Sequence, residues 1–327
     1  MRHNVDGHSG AAYAAILGAL AGDASGATLE FLNRVPTEDE VESAIRMTGE
    51  GPHRTAPGQI TDDGEMMLCL MAALQNRKAF DIESVAASYL RWYESAPFDI
   101  GMTTINGLGG GAGRPEGQIH SGMYAQASNS FALKSKSNGG LMRILPIGIW
   151  GARTSEKKMI NAAVADTRLT HANPTCLAAS AVYCIAIRHL ILNPGDAVAA
   201  FDRAKSWARK IGNIEVIEWL NKAELGIDAG YYPQAGFVKY GFSHAFRHLK
   251  LGTSYSDSIR ETLQGGGDTD TNACIVGGMT GVVHGLKSIP DHMKNAVLNC
   301  IPENGRPRPE FLQTRIQLPK LVLGILD

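Results

Sequence analysis

Segments that alternate apolar and polar residues are almost missing from this chain, which excludes most sheet-based architectures. Neither sign of charge is in excess: 31 Lys and Arg face 32 Asp and Glu, for a formal net charge of -1. No basic stripe interleaves with aromatic residues, and Lys134 with Lys136 make only a small local patch, so nucleic-acid binding has no electrostatic support. Cysteine is sparse. Cys69, Cys176, Cys184, Cys274 and Cys300 are odd in number and lack metal-ligand spacing, so they read as buried thiols in a reducing compartment, by default the cytoplasm. No Ser/Pro linker or charge block divides the sequence, and residues 1–327 read as one domain with residues 1–10 as a flexible leader. No apolar stretch reads as long enough to cross a bilayer, so no membrane role is expected. Arg2 before the apolar residues 11–21 mimics a secretory signal, but Asp6 and two histidines ahead of the run argue against one.

What is present is helical periodicity. Residues 82–93, 178–192, 197–211, 214–225, 243–249 and 256–263 carry apolar residues at helical spacing, with Asp, Ser or Asn near several starts. Residues 11–21 form a small-residue apolar helix, while 65–74 and 273–279 are apolar enough to be buried. With 44% apolar residues in 327, the chain can bury a large core, and the expected fold is all-α. Residues 107–137 read as a long polar connection. Its Gly107-x-Gly109-x-x-Ala112 spacing mimics a dinucleotide fingerprint but lacks the preceding strand.

Oxygen-bearing side chains are concentrated at two helix starts. Gly265-Gly266-Gly267-Asp268-Thr269-Asp270-Thr271-Asn272 stands directly before one apolar run, and Thr61-Asp62-Asp63 before another. A helix start needs one capping oxygen, and Asp62 with Glu65 has the spacing of a variant capping box, so capping alone is an open reading for the second cluster. Two clusters of this kind ask for a shared explanation. If the starts converge, four carboxylates meet, and protons or metal ions must relieve their repulsion. Magnesium or manganese suits carboxylate, hydroxyl and water oxygens, whereas zinc would prefer the His and Cys that both clusters lack. An EF-hand is excluded, because Ala273 stands where the loop needs Gly and Met279 where it needs Glu. A third segment, Gly22-Asp23-Ala24-Ser25-Gly26-Ala27-Thr28-Leu29-Glu30, reads alone as a helix end with a glycine stop.

In this order, the three segments resemble the ADP-ribosylglycohydrolase family. Four further segments carry the same resemblance: Asp99-Ile100-Gly101-Met102-Thr103-Thr104, Ser137-Asn138-Gly139-Gly140-Leu141-Met142-Arg143-Ile144-Leu145-Pro146, Thr170-His171-Ala172-Asn173-Pro174, and Ala235-Gly236-Phe237-Val238. The resemblance covers most of the chain. It implies an all-helical bundle with two Mg2+ ions, or Mn2+, in a cleft, held by Thr61, Asp62, Asp63, Asp268, Asp270 and Thr271. It further implies Asp63 or Glu30 as the proton acceptor and Asp99 as an acid near the scissile bond. Asn138, Gly139, Met142, Arg143, His171 and Phe237 would line an ADP-ribose cleft.

From the residues alone, Arg143 reads as a surface cation, Met142 as a core filler and His171 as a helix cap, while Asp99 stays open between a turn and a catalytic acid, and Phe237 between a core aromatic and a platform for adenine or ribose. Two departures from the family pattern stand out: Gly64 replaces a common Thr, and Lys239-Tyr240-Gly241 replaces an acidic and apolar helix start. The implied activity is metal-assisted hydrolysis that frees ADP-ribose from a modified protein side chain, arginine first and serine second. A nucleotide phosphoesterase and a catalytically idle ADP-ribose-binding protein are the rivals.

Overall fold

The computed structural model describes residues 2–30, 32 and 34–326, the side chains of residues 2–6, 319 and 323 excepted. In chain order the α-helices are α1 (Arg2–Gly26), α2 (Glu38–Ile45), α3 (Asp62–Leu74), α4 (Ile82–Glu94), α5 (Met102–Gly109) and α6 (Ile119–Ala127). There follow α7 (Ser130–Lys134), α8 (Leu145–Trp150), α9 (Glu156–Arg168), α10 (Pro174–Leu192), α11 (Ala197–Ile211) and α12 (Ile214–Glu224). The chain closes with α13 (Val238–Leu251), α14 (Tyr255–Gly265), α15 (Thr269–His284), α16 (Asp291–Leu298) and α17 (Thr314–Leu326). No strand occurs among the described residues, where the extended pairings are isolated bridges such as Ser137 with Phe237.

Small residues set the central helix pair. Gly18, Gly22 and Gly26 recur every fourth position and so share one face of α1. A Cβ at each would strike the backbone of α15: Gly277 O at 2.5 Å, Ala273 O at 2.1 Å and Asp270 Cα at 2.4 Å. The two helices therefore touch backbone to backbone, which brings the end of α1 against the start of α15. Around this pair α3 and α15 are buried nearly all round, as their continuous apolar sequences require.

Two expectations need correction. Residues 107–137 are not one loop, because Ile119, Met123 and Ala127 stand every fourth position and bury one face of α6. Ser121 and Gln126 lie on its exposed side, while Gly122 is buried against Gly110 O. A helix of spanning length also exists: Pro174–Leu192 is long and apolar enough by length and composition to cross a membrane. Most of it is buried inside the protein. At the other end of the chain, α1 already starts at Arg2, within the stretch expected as a leader.

Candidate metal and substrate cleft

Helices α3 and α15 point their N-terminal ends at one cleft of about 490 Å3. Its lining includes Glu30, Asp62, Asp99, Asp268, Asp270 and Thr271 together with Asn138, Gly139, Met142 and His171. Asp63 and Thr61 lie just beneath, both fully buried. Thr271 Oγ1 donates to Asp63 Oδ2 at 3.2 Å, and Thr61 Oγ1 lies 3.3 Å from the same oxygen. The two clusters that sequence spacing suggested are thus brought into contact.

The capping explanation fails at both. Thr61 and Asp268 occupy the N-cap positions of α3 and α15, and neither side chain caps its helix. Nor does Glu65 close a capping box, since both its oxygens are taken by the Arg308 guanidinium. Asp63 Oδ1 and Asp268 Oδ1 are buried without any partner. Orphaned carboxylate oxygens of this kind are costly to bury unless something else binds them.

Electrostatics point the same way. Burial first, and then repulsion from neighbouring acids, pushes Asp62, Asp63 and Asp270 well above the usual carboxylate range. Burial also raises Asp23 and Glu30 to about 7. No lysine or arginine lines the cleft among the described residues. The charge must be balanced by protons or by added cations, and the donor set is carboxylate and hydroxyl oxygen, which suits a hard divalent ion.

Asp23 was missed as a site residue. Its glycine-flanked sequence reads as a helix end, yet it lies inside α1 and accepts from Thr61 N at 3.0 Å, Thr61 Oγ1 at 2.8 Å and Gly64 N at 2.9 Å. It binds the start of α3 to α1, and Asp23, Asp63 and Asp270 each present an oxygen within a shared 4.8 Å space. The hydroxyl lost at Gly64 is explained too. A Cβ there would lie 2.6 Å from Asp23 Oδ2.

His53 had no local signal either. Its Nε2 lies 2.7 Å from Glu30 Oε2 and 3.7 Å from Asp99 Oδ2, so it joins two acids that the sequence keeps 69 positions apart. The hydrogen bond to Glu30 raises its pKa. The loop that delivers it is strained: Met47, Glu50 and Arg54 all adopt left-handed backbone conformations. Gly51 sits so close to Thr28 that a Cβ would meet its Cα at 2.6 Å.

Among the other lining residues, Asn138 Nδ2 donates to Asp268 Oδ2 at 2.7 Å, tying segment 137–142 to the start of α15. His171 is not the cap of α10; Asn173 is, accepting from Thr175 N. The His171 ring lies under Gly139, where a Cβ would be 2.9 Å from Cε1, and its Nε2 meets Ser137 Oγ at 3.0 Å. Burial lowers its pKa to about 3, which leaves the imidazole neutral at ordinary pH.

Besides Thr61 and Asp63 beneath the cleft, two more sequence-selected residues, Arg143 and Phe237, stay outside the lining. Arg143 is neither a surface cation nor a cleft wall: it is fully buried, with Nε 3.3 Å from Asp166 Oδ2 and its guanidinium 4.6 Å from the Tyr89 ring centroid. It reaches the site only through Nη1, which donates to Gly139 O at 3.2 Å. The Phe237 ring packs edge-on against Trp219 and Tyr240. Tyr232 is the aromatic residue in the lining, half exposed, and its hydroxyl accepts from Gly267 N at 3.0 Å.

Known proteins share this arrangement of sequence and fold. A sequence profile described as ADP-ribosylglycohydrolase matches residues 6–321. An Acanthamoeba polyphaga mimivirus protein named as an ADP-ribosyl glycohydrolase is 31% identical over 308 residues, covering 88% of this chain and 90% of its own. An ADP-ribosylarginine hydrolase of Pseudomonas putida is 28% identical over 295 residues, covering 84% of this chain and 71% of its own. A solved chain described as an ADP-ribosylglycohydrolase-related protein complex superimposes with a TM-score of 0.76 at 23% identity, over 98% of both chains, and shows the shared fold. Profile, relatives and fold agree across nearly the whole sequence, and the chain belongs to the ADP-ribosylglycohydrolase family.

Proposed function

We propose that this protein is a metal-dependent hydrolase that removes ADP-ribose from modified protein side chains, with ADP-ribosyl-arginine as its foremost substrate. The observation that carries the reading is the pair of acidic helix starts whose own N-cap side chains do not cap them, and whose buried oxygens converge on the cleft with no Lys or Arg lining it among the described residues. Thr61, Asp62, Asp63, Asp268, Asp270 and Thr271 would hold two Mg2+ or Mn2+ ions, and the orphaned Oδ1 atoms of Asp63 and Asp268 fit that role. When bound, such ions polarise substrate oxygens and make water more acidic.

The chain's own residues divide the remaining work. Asn138, Gly139, Met142 and His171 form the wall against which the ribose would lie, and the neutral His171 ring adds no charge there. Asp63 or Glu30 accepts a proton from the water that adds to the anomeric carbon. As that bond forms, the bond from the same carbon to the leaving side chain breaks. Asp99, on the Glu30 and His53 side of the cleft, faces the leaving group. A guanidinium pairs well with carboxylates, and the Pseudomonas putida relative is named as an ADP-ribosylarginine hydrolase.

Mass spectrometry of the product released from arginine-linked and serine-linked ADP-ribosylated proteins, with Mg2+ and with EDTA, tests the reading. Intact ADP-ribose from the arginine linkage, lost with EDTA, is the expected result. Release of AMP instead would mean a phosphoesterase. Binding of ADP-ribose with no release from either linkage would mean a binding protein.

A further inference from the structure

The guanidinium of Arg308 uses every donor it has. An arginine offers five N–H groups. Here Nε donates to Glu65 Oε1 at 2.7 Å and Nη2 to Glu65 Oε2 at 2.9 Å, forming a two-pronged pair. Nη1 donates to the carbonyls of Ser95 and Ala96, each at 3.1 Å, and Nη2 also to Ser95 Oγ at 2.8 Å. The partners belong to two separate parts of the site. Glu65 follows Asp63 by two residues in the first turn of α3, and Ala96 precedes Asp99 by three.

The rest of the short segment 305–308 works on the same region. Gln59 Oε1 accepts from Arg306 N at 3.0 Å and from Ala56 N at 2.9 Å, which fixes the chain just before Thr61. A Cβ at Gly305 would lie 2.1 Å from Ala56 N, so the backbone passes in direct contact. The Arg306 guanidinium lies 5.2 Å from the centroid of the Phe98 ring, beside Asp99. Ala96 is held in a left-handed conformation at φ 53°, which a non-glycine residue adopts only when its surroundings impose it.

We propose that segment 305–308 is a strap and Arg308 its positioning residue, fixing the α3 start with Asp62 and Asp63 against the 95–99 loop with Asp99. Glu65 is the buried anchor on α3, its Oε2 also accepting from Trp92 Nε1 at 2.7 Å. None of residues 305–308 lines the cleft. It acts by setting the distance between two groups of acids that would otherwise repel one another. Its consequences for metal affinity and turnover rest on the hydrolase reading above; its consequence for backbone order does not.

The test uses the full chain with Arg308→Lys, which keeps the charge but loses the fork, and Glu65→Gln, which keeps the shape but loses the charge. Hydrogen–deuterium exchange in EDTA should show residues 59–65 and 95–101 opening together in both variants, with α10 unchanged. Mn2+ affinity by electron paramagnetic resonance should fall by about 10–100-fold, and kcat should fall while KM holds. Wild-type protection in both segments would overturn the proposal, as would uniform loosening that includes α10 or failure of both variants to fold. If the wild-type protein neither binds Mn2+ nor turns over substrate, the hydrolase reading fails, and the exchange result still decides the strap.

Discussion

At the starts of α2, α4, α7 and α9, Thr37, Asp81, Asn129 and Ser155 each accept a hydrogen bond from a backbone N–H two or three residues on. Asn173, Asp196, Asn213 and Ser254 do the same for α10, α11, α12 and α14. Thr61 and Asp268 are the same residue types in the same position, and their side chains do not cap. Among described helix starts of this composition, those two are the exceptions: Asp268 lines the cleft, and Thr61 lies just beneath it with its hydroxyl turned to Asp23 and Asp63. A capping oxygen turned inward satisfies its own helix and stabilises the fold. An oxygen turned outward into a buried, acid-rich space destabilises the protein unless a cation is added, and such an arrangement persists where it serves a site.

The largest effect is expected at Asp63. Replacing Asp63 by Ala removes a carboxylate from the shared space without touching a cap. We expect ADP-ribose release to fall by more than about a hundredfold, with Mn2+ binding weakened in parallel and the far-ultraviolet circular dichroism unchanged. If turnover survived in the folded variant, the site would have to lie elsewhere.

A buried acid with a cation provides the control. Asp166 is as deeply buried as Asp63, but it accepts from Tyr89 Oη at 2.8 Å and faces Arg143. Replacing Arg143 by Met leaves that carboxylate without its countercharge, and unfolding in urea should show a loss of about 3–5 kcal/mol. The loss should be the same with and without Mg2+. A metal-dependent difference would place Arg143 in the cleft after all.

The control also marks where sequence reading runs out. Helix α11 lies at the expected residues 197–211, and α4 within one residue of expectation, because amphipathic periodicity and a capping residue are both local. The two oxygen clusters were legible for the same reason, each being a dense local pattern. Asp23, His53 and Arg143 were not, since their roles come from partners 38, 23 and 46, and 23 residues away in the chain. Helix α6 was hidden by the glycines that precede it and by the shortness of its apolar stripe, Ile119, Met123 and Ala127.

The uncompensated acids also make stability depend on pH. Asp23 and Glu30 are raised to about 7 in the folded chain, above the roughly 3.9 and 4.3 of the unfolded one. Groups with raised folded values bind more protons when folded, so their stabilising contribution is complete below about pH 4 and is lost as pH rises through about 7. In EDTA, the melting temperature should therefore fall between pH 5 and pH 8 by this contribution. Mg2+ at pH 8 should restore it. An EDTA melting curve that is flat across this window would mean that the carboxylates are balanced by something other than protons.

The smallest effect separates the two kinds of helix start directly. Ser155→Ala removes a side-chain oxygen that accepts from Lys158 N at 3.3 Å, and the loss of such a cap costs about 1 kcal/mol. Asp268→Asn changes the corresponding position of α15 but removes no cap, and it takes one negative charge out of an uncompensated group. In EDTA, urea unfolding should show Ser155→Ala less stable than the parent and Asp268→Asn equal to it or more stable. With Mg2+ the order should reverse, because the parent gains binding energy that the Asn variant forfeits. If Asp268→Asn is as destabilising as Ser155→Ala without metal, Asp268 is serving its own helix, and the distinction between the two classes of helix start does not hold.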